Sequence, residues 1–156
     1  MNDTLLRLVD HMRWADGLVA DALVGQTKLD NDTAEAVRLF AHIAAVEHLW
    51  YARILGEAPR YAVWPTLSSE ESRGVAAEHA NLFERLVRES DDADLRRVVE
   101  YRNSAGKDYR STVADIITHT AVHGEHHRGQ IALLVRAAGR EPPYTDFIQY
   151  SRRDQG

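Results

Sequence analysis

Apolar side chains recur at helical spacing in four long stretches of the chain, separated by shorter polar segments. The stretches run from about Thr4 to Val24, from about Thr33 to Leu55, onward from Ser68, and from Thr112 to about Ala138. Three of them are followed at once by glycine, where helices often end: Gly25, Gly56 and Gly139. This pattern predicts four long helices.

Residues that cap helix N-termini support these boundaries. Ser68 with Glu71 three positions later forms a predicted capping box for the third helix. Thr112 and Asp115 have the same spacing at the start of the fourth helix, and the second helix follows the polar segment DNDT. The caps therefore agree with the apolar period.

The connections are unequal in length and character. The segment EAPRYAVWPTL, with two prolines, predicts a long crossover between the second and third helices. From Ser90 to Arg110 the helical period lapses, and the turn signal NSAG predicts a short hairpin or extended excursion. The proline-broken tail is expected to pack one or two aromatic side chains. We predict an all-α four-helix bundle forming one domain over residues 1–156.

Composition narrows the function. The 156 residues include no cysteine, which excludes disulfides, thiolate metal sites and a cysteine nucleophile. The net charge of −5 argues against a nucleic-acid partner. The sequence shows neither an apolar run of membrane-spanning length nor the features of a signal peptide, so we expect a cytoplasmic protein without a membrane partner.

Four histidines lie within nine residues of the predicted fourth helix: His119, His123, His126 and His127. Positions four apart are about 40° apart around a helix, so these side chains share one stripe with apolar residues and are expected to face inward. One such histidine is most often a packed core residue. Several neutral imidazoles side by side each need a donor and an acceptor, whereas a metal ion takes their lone pairs. The cluster therefore indicates a metal site.

A further ligand must come from another helix, and the second helix offers two histidines. His42 lies beside apolar residues, whereas His48 is about 120° away around the helix, so both do not face one ion. Spacing alone does not decide between them, although a plain boundary position is the more common interpretation of His48. The zincin arrangement and the Glu-x-x-His pairs of di-iron bundles are both absent from the sequence.

Several motifs together resemble the DinB/YfiT-like superfamily of bacterial metal-binding four-helix bundles over most of the chain. HGEHHRGQ matches its most specific motif, His-x-x-His-His-Arg-Gly-Gln. LFAHIAAVEHLWYARILG resembles its second helix, YRNSAG its segment before the last helix, and PPYTDFIQYSR its tail. HMRWAD resembles its first helix, with His11 and Asp16 in place of two asparagines.

The resemblance implies a divalent metal held by His42, His123 and His127, with His119 at a position where a histidine is frequent but not a usual ligand. His119 is therefore expected either beside the ligands, in the pocket around them, or in place of one of them. Zinc or nickel is the expected metal, and iron or copper also suits three imidazoles. A homodimer is also expected from the family.

Other residues are assigned to the surroundings of the site. We interpret Arg128 as the partner of a carboxylate, such as Glu47, in an ion pair that fixes the bundle, with an anion anchor as the alternative for Arg128. Glu125 is expected on a solvated flank. Candidates for the pocket rim are Trp14, Tyr61, Trp64, Tyr101, Asn103 and Tyr109, with core packing favoured for Trp14.

Three functional hypotheses follow. The resemblance implies a metal-dependent thiol S-transferase in stress or detoxification, acting on a small electrophile with a low-molecular-weight thiol. A hydrolase that activates water and a non-enzymatic stress protein that binds metal or ligand are the alternatives. A requirement for a thiol would separate the first hypothesis from the second.

Overall fold

Four long helices form a bundle in the computed structural model, which describes residues 2–26, 30–103 and 105–153. The elements are α1 Asn2–Leu23, α2 Asn31–Leu55, α3 Ser69–Glu89, α4 Asp92–Arg96, β1 Val98–Arg102, β2 Asp108–Thr112, α5 Val113–Ala137 and α6 Phe147–Arg152. The prediction of an all-α four-helix bundle with a hairpin before the last long helix is confirmed. Within the described ranges, no helix is long and apolar enough to cross a membrane.

The long helices form a ring in which α1 and α2 each pack against both α3 and α5. One end of the core joins the start of α1 and of α5 to the ends of α2 and α3. At the other end, the last turns of α1 and α5 pack against the first half of α2. Helices α2 and α5 are therefore antiparallel neighbours, whereas α2 and α3 run in the same direction.

The crossover between α2 and α3 follows from that parallel pair, because the chain must return along the bundle before α3 begins. Gly56 ends α2 with a φ of +73°, in the left-handed region that glycine adopts without strain. Residues 56–68, when extended, reach about 43 Å, which exceeds the length of about 37 Å expected for a helix of 25 residues. The predicted crossover thus runs beside α2.

The predicted caps are present. The Ser68 and Glu71 side chains form a reciprocal capping box, and Thr112 accepts a hydrogen bond from the Asp115 backbone N–H. The second helix is capped by Asp30, two residues earlier in the chain than the predicted start implied. Polar caps thus place the helix boundaries.

The excursion before α5 contains a hairpin and also a helix that the sequence analysis did not predict. Strands β1 and β2 pair antiparallel, and the Asn103 side chain accepts from the backbone N–H groups of Ala105 and Lys107 in the turn. Within that predicted turn, Ser104 lies outside the described residues. Helix α4 is only five residues long, too short to show an apolar period. In the tail, Tyr150 is buried as expected, and residues 154–156 lie outside the described ranges.

Candidate metal centre

The histidines of α5 do not all face the interior. His119 and His126 are exposed, which corrects the expectation of one inward stripe. The buried face of α5 is formed instead by small and apolar residues together with one charged residue, Arg128. These residues are Val113, Ile116, Ile117, Thr120, Ala121, Gly124, Arg128, Ile131 and Val135. His123 and His127 are partly buried and flank that face, so they lie where α5 meets α2 near the surface.

Three imidazoles converge across this α2–α5 seam. His42 Nε2 lies 3.3 Å from His123 Nε2, which in turn lies 3.2 Å from His127 Nε2. The ligand atoms of all three residues lie within 4.8 Å of one another, and the three histidines are placed to hold a metal ion. His48 does not join them, so the structure brings together the three residues that the family resemblance selected.

The outer nitrogens of two rings are already used. His42 Nδ1 donates to the Val63 carbonyl at 2.7 Å, and His127 Nδ1 donates to Gln130 Oε1 at 2.6 Å. Each neutral ring therefore presents an unprotonated Nε2 to the centre. If His123 carries its proton on Nε2, it donates that proton to Nε2 of either His42 or His127. The lone pair of the remaining Nε2 then stays available for a cation.

Electrostatics also favour the unprotonated state. Burial, together with the neighbouring rings of His127, His42, His119 and His126, lowers the pKa of His123 from 6.5 to about 3. Burial likewise lowers the pKa of His42, although the Val63 carbonyl opposes that shift. Neutral imidazoles are the form that binds metals, so the centre is ready for a cation at neutral pH.

The spacing of the nitrogens fits a tetrahedral ion. Metal–nitrogen bonds of about 2.0–2.1 Å at the tetrahedral angle separate neighbouring ligand nitrogens by about 3.3–3.4 Å. The two nitrogen pairs of 3.3 and 3.2 Å are within about 0.2 Å of that separation. The residues present therefore fit a divalent metal.

The crossover covers one side of the centre. Trp64 stacks on His42 with ring centroids 3.7 Å apart and planes at 9°. The Arg38 guanidinium lies 4.1 Å from the centre of the Trp64 ring. Trp64 and His127 also line a cavity of about 360 Å³. Trp64, which was predicted at the rim of the pocket, thus packs directly on His42.

Comparison with known proteins agrees with this geometry. The sequence model of the DinB family matches residues 1–155. The chain belongs to the DinB family. No curated protein matches it.

In this DinB family protein, Arg128 has partners other than the one expected. Its guanidinium is fully buried and donates to Asp16 at 2.8 Å and to Glu125 at 3.1 Å. The expected ion pair with a carboxylate is therefore present, but its partners are Asp16 and Glu125 in place of the Glu47 offered as an example, and Glu125 is only partly exposed. Burial, reinforced by Asp16, raises the pKa of Glu47 well above its usual range, which favours the neutral carboxyl. Gly124 makes room for the guanidinium.

The other predicted pocket residues lie farther along the seam. The exposed His119 contacts His123, with ring centroids 5.6 Å apart, and Trp50, at 5.0 Å. Tyr101 packs on Trp50 at 5.0 Å, and both Tyr101 and Asn103 line a cavity of about 430 Å³. Tyr101 and Asn103 thus line a second cavity, whereas His119 lies beside His123 of the three-histidine centre.

Three of the proposed rim aromatics contact residues away from the centre. Trp14 packs on Tyr150 of the tail, and Tyr109 stacks on Tyr101. Tyr61 packs on His48. The DinB family chain thus uses these three rings in packing.

His48 forms a separate buried pair with His79. The Arg60 backbone N–H donates to His48 Nε2 at 2.8 Å, so His48 carries its proton on Nδ1. That nitrogen donates to His79 Nε2 at 3.0 Å, and His79 Nδ1 donates to the Val75 carbonyl at 2.8 Å. Every ring nitrogen therefore has a partner when both rings are neutral.

Two partners of the DinB family centre were missed in the sequence. Gln130 could have been identified from the sequence, because it is the last residue of the motif HGEHHRGQ and lies three residues beyond His127 on the same helix. The Val63 carbonyl could not have been identified from the sequence, because every residue carries a backbone carbonyl.

Proposed function

We propose that this protein binds a divalent metal through Nε2 of His42, His123 and His127 and is a metal-dependent enzyme of the thiol S-transferase type. The observation that carries the proposal is the convergence of Nε2 of three histidines at a seam near the surface. Zinc or nickel is the metal we expect, with iron or copper compatible with the same ligands. Membership of the DinB family supports this assignment.

Three protein ligands with one position left for a small molecule are typical of catalytic rather than structural zinc sites. A metal bound there lowers the pKa of a thiol or a water molecule. The chain's own contribution is positional: Val63 and Gln130 hold two imidazoles in the ligand tautomer. Because the sequence has no cysteine, a second substrate must supply the sulfur.

The cavity beside His127 is suited to an uncharged electrophile. Leu133, Leu134 and Trp64 contribute apolar surface to it. Its cation, Arg38, is paired with Glu35 through two hydrogen bonds of 2.7 Å, so the cavity holds no unbalanced positive charge on that side. A small, largely apolar electrophile therefore fits next to the metal position.

The metal is tested by elemental analysis of untagged protein prepared without a nickel column. We expect about one equivalent in the parent protein and its loss in His42→Ala and His127→Ala. His126→Ala is the matched control, because His126 is an exposed neighbour whose ring nitrogens make no bond to the centre. Equal metal in all four proteins would refute the ligand assignment.

The reaction type is tested with small electrophiles in the presence and absence of low-molecular-weight thiols. Turnover that requires a thiol, and that His127→Ala abolishes, supports S-transfer. Turnover without any thiol would indicate a hydrolase instead. Tight metal binding without turnover of either kind would indicate a binding protein.

A further inference from the structure

A second cavity lies between α2 and the hairpin, on the hairpin side of the three-histidine centre. It measures about 430 Å³ and is lined by residues of α2, the crossover and β1. Val63 is one of the lining residues, and its carbonyl is the acceptor for His42. One wall of the cavity is therefore formed by a residue that is hydrogen-bonded to the proposed metal ligand His42.

Arg53 is the feature of this cavity that requires an explanation. Its guanidinium carbon lies 4.4 Å from the Trp50 ring centre and 4.8 Å from that of Tyr101. Its hydrogen bond to the Arg102 carbonyl is long, at 3.3 Å. Across residues 2–26, 30–103 and 105–153, no carboxylate forms an ion pair with it. Arg102, which lines the same cavity, is by contrast held by two hydrogen bonds to Asp108.

Two carboxylates, Glu57 and Glu100, line the cavity with Arg53, and Glu100 is paired with Arg110 at 3.3 Å. Glu57 lies four residues after Arg53, a spacing at which oppositely charged side chains meet on a helix. Gly56 ends the helix in the left-handed conformation, so Glu57 no longer continues the face that Arg53 occupies. The guanidinium is thus half-buried between two aromatic rings, and burial lowers the pKa of Arg53.

A path of ring contacts connects Arg53 with the three imidazoles. His123 contacts His119, His119 contacts Trp50, and the Arg53 guanidinium lies over Trp50. The planar guanidinium presents paired N–H donors that match a carboxylate, and aromatic stacking fixes its plane beforehand. An elongated molecule could therefore reach both places at once.

We propose that Arg53 binds a carboxylate at the far end of the thiol whose sulfur binds at the three-histidine centre. This inference rests on the proposed function, because it assigns the thiol substrate a second point of recognition. It selects acidic thiols over neutral thiols of the same length. Trp50 and Tyr101 position the guanidinium without contributing charge.

The test separates the role of the sulfur from that of the carboxylate. Zinc-loaded protein is titrated calorimetrically with 6-mercaptohexanoate, with 6-mercaptohexanol, which lacks the carboxylate, and with hexanoate, which lacks the sulfur. The titrations are repeated with Arg53→Met, with Arg53→Lys and with the matched control Arg102→Met. Longer and shorter mercaptoalkanoates then measure the span between the two binding points.

We expect the parent protein to prefer mercaptohexanoate over mercaptohexanol by about 10-fold or more, the size expected of a hydrogen bond to a charged group. Arg53→Met should abolish that preference, Arg53→Lys should retain part of it, and Arg102→Met should leave it unchanged. A parent without the preference, or a preference that survives in Arg53→Met, overturns the inference.

Failure of the proposed function has a different signature. If the sulfur adds nothing, mercaptohexanoate binds no better than hexanoate. In that case, binding of hexanoate that depends on Arg53 still supports an anion site at Arg53. If hexanoate does not bind, or binds equally well to Arg53→Met, there is no anion site at Arg53.

Discussion

Gly124 lies where a methyl group would collide with a buried cation, and we predict that Gly124→Ala destabilises the protein. An added Cβ falls 2.7 Å from Arg128 Nη1 and 3.2 Å from Arg128 Cζ. Asp16 and Glu125 hold the fully buried guanidinium at 2.8 and 3.1 Å. The guanidinium can therefore give way only by lengthening those hydrogen bonds.

The expected magnitude combines opposing contributions. Alanine in place of glycine inside a helix stabilises by about 1 kcal/mol. Forcing an extra methyl group into a packed interior costs about 1–3 kcal/mol, and breaking a buried ion pair costs about 3–5 kcal/mol. With the pair loosened rather than broken, we expect a net loss of about 1–3 kcal/mol in the free energy of unfolding. For a chain of 156 residues this lowers the Tm by about 2–12 °C.

Gly129→Ala is the matched control, because Gly129 lies on the same helix, is exposed, and would place its Cβ more than 4 Å from any group other than its chain neighbours and the nearby backbone of its own helix. This variant should gain about 1 kcal/mol and about 2–4 °C. Urea and thermal unfolding are followed by circular dichroism in the presence of a chelator, so that metal binding does not contribute. If both variants shift by the same amount in the same direction, the steric reasoning is refuted.

Three further predictions concern single side chains. Gln130→Ala should weaken zinc affinity by about 10–100-fold, because His127 Nδ1 loses the acceptor at 2.6 Å; competition with a chromophoric chelator measures this, and unchanged affinity would contradict the positioning role. Glu47→Gln should change the free energy of unfolding near neutral pH by less than about 1 kcal/mol, because burial raises the pKa of Glu47 well above its usual range and favours the neutral carboxyl; a loss of several kcal/mol would mean that the carboxyl is charged. Burial lowers the pKa of His48 and of His79 below 6.5, so the unfolded chain takes up these protons first as the pH falls. The stability from this pair is complete above about pH 6.5 and declines below it. Urea midpoints measured down to about pH 5 should fall more steeply in the parent than in a His48→Gln/His79→Gln variant, and equal slopes would be inconsistent with this.

The helices and their boundaries could be predicted because their signals are local. The Ser68–Glu71 and Thr112–Asp115 pairs each act within one helical turn, and the apolar period extends over several turns. Helix α4 could not be predicted, since its five residues from Asp92 to Arg96 are too few to establish a period. Local signals thus define long elements well and short elements poorly.

Histidine spacing indicated the centre but not which histidines face it. A stripe of imidazoles four residues apart fits either the middle or the edge of a buried face. Gly124 and Arg128 occupy the middle in α5, which moves His123 and His127 to the edge and leaves His119 exposed. The edge position also leaves His123 and His127 partly accessible to solvent. The choice between His42 and His48 depended on the family motif, because helical angle alone allowed either.

Topology explains the remaining contacts of the two histidines on α2. Because α2 and α3 are parallel neighbours, the crossover must run back along α2 and pass its side chains in reverse order. It first meets His48, which accepts from the Arg60 N–H, and then His42, which donates to the Val63 carbonyl. Both contacts use backbone atoms, which leave no trace in the residue types. The same connection therefore gives one histidine an acceptor that leaves its Nε2 free for a metal, and gives the other a donor that occupies its Nε2.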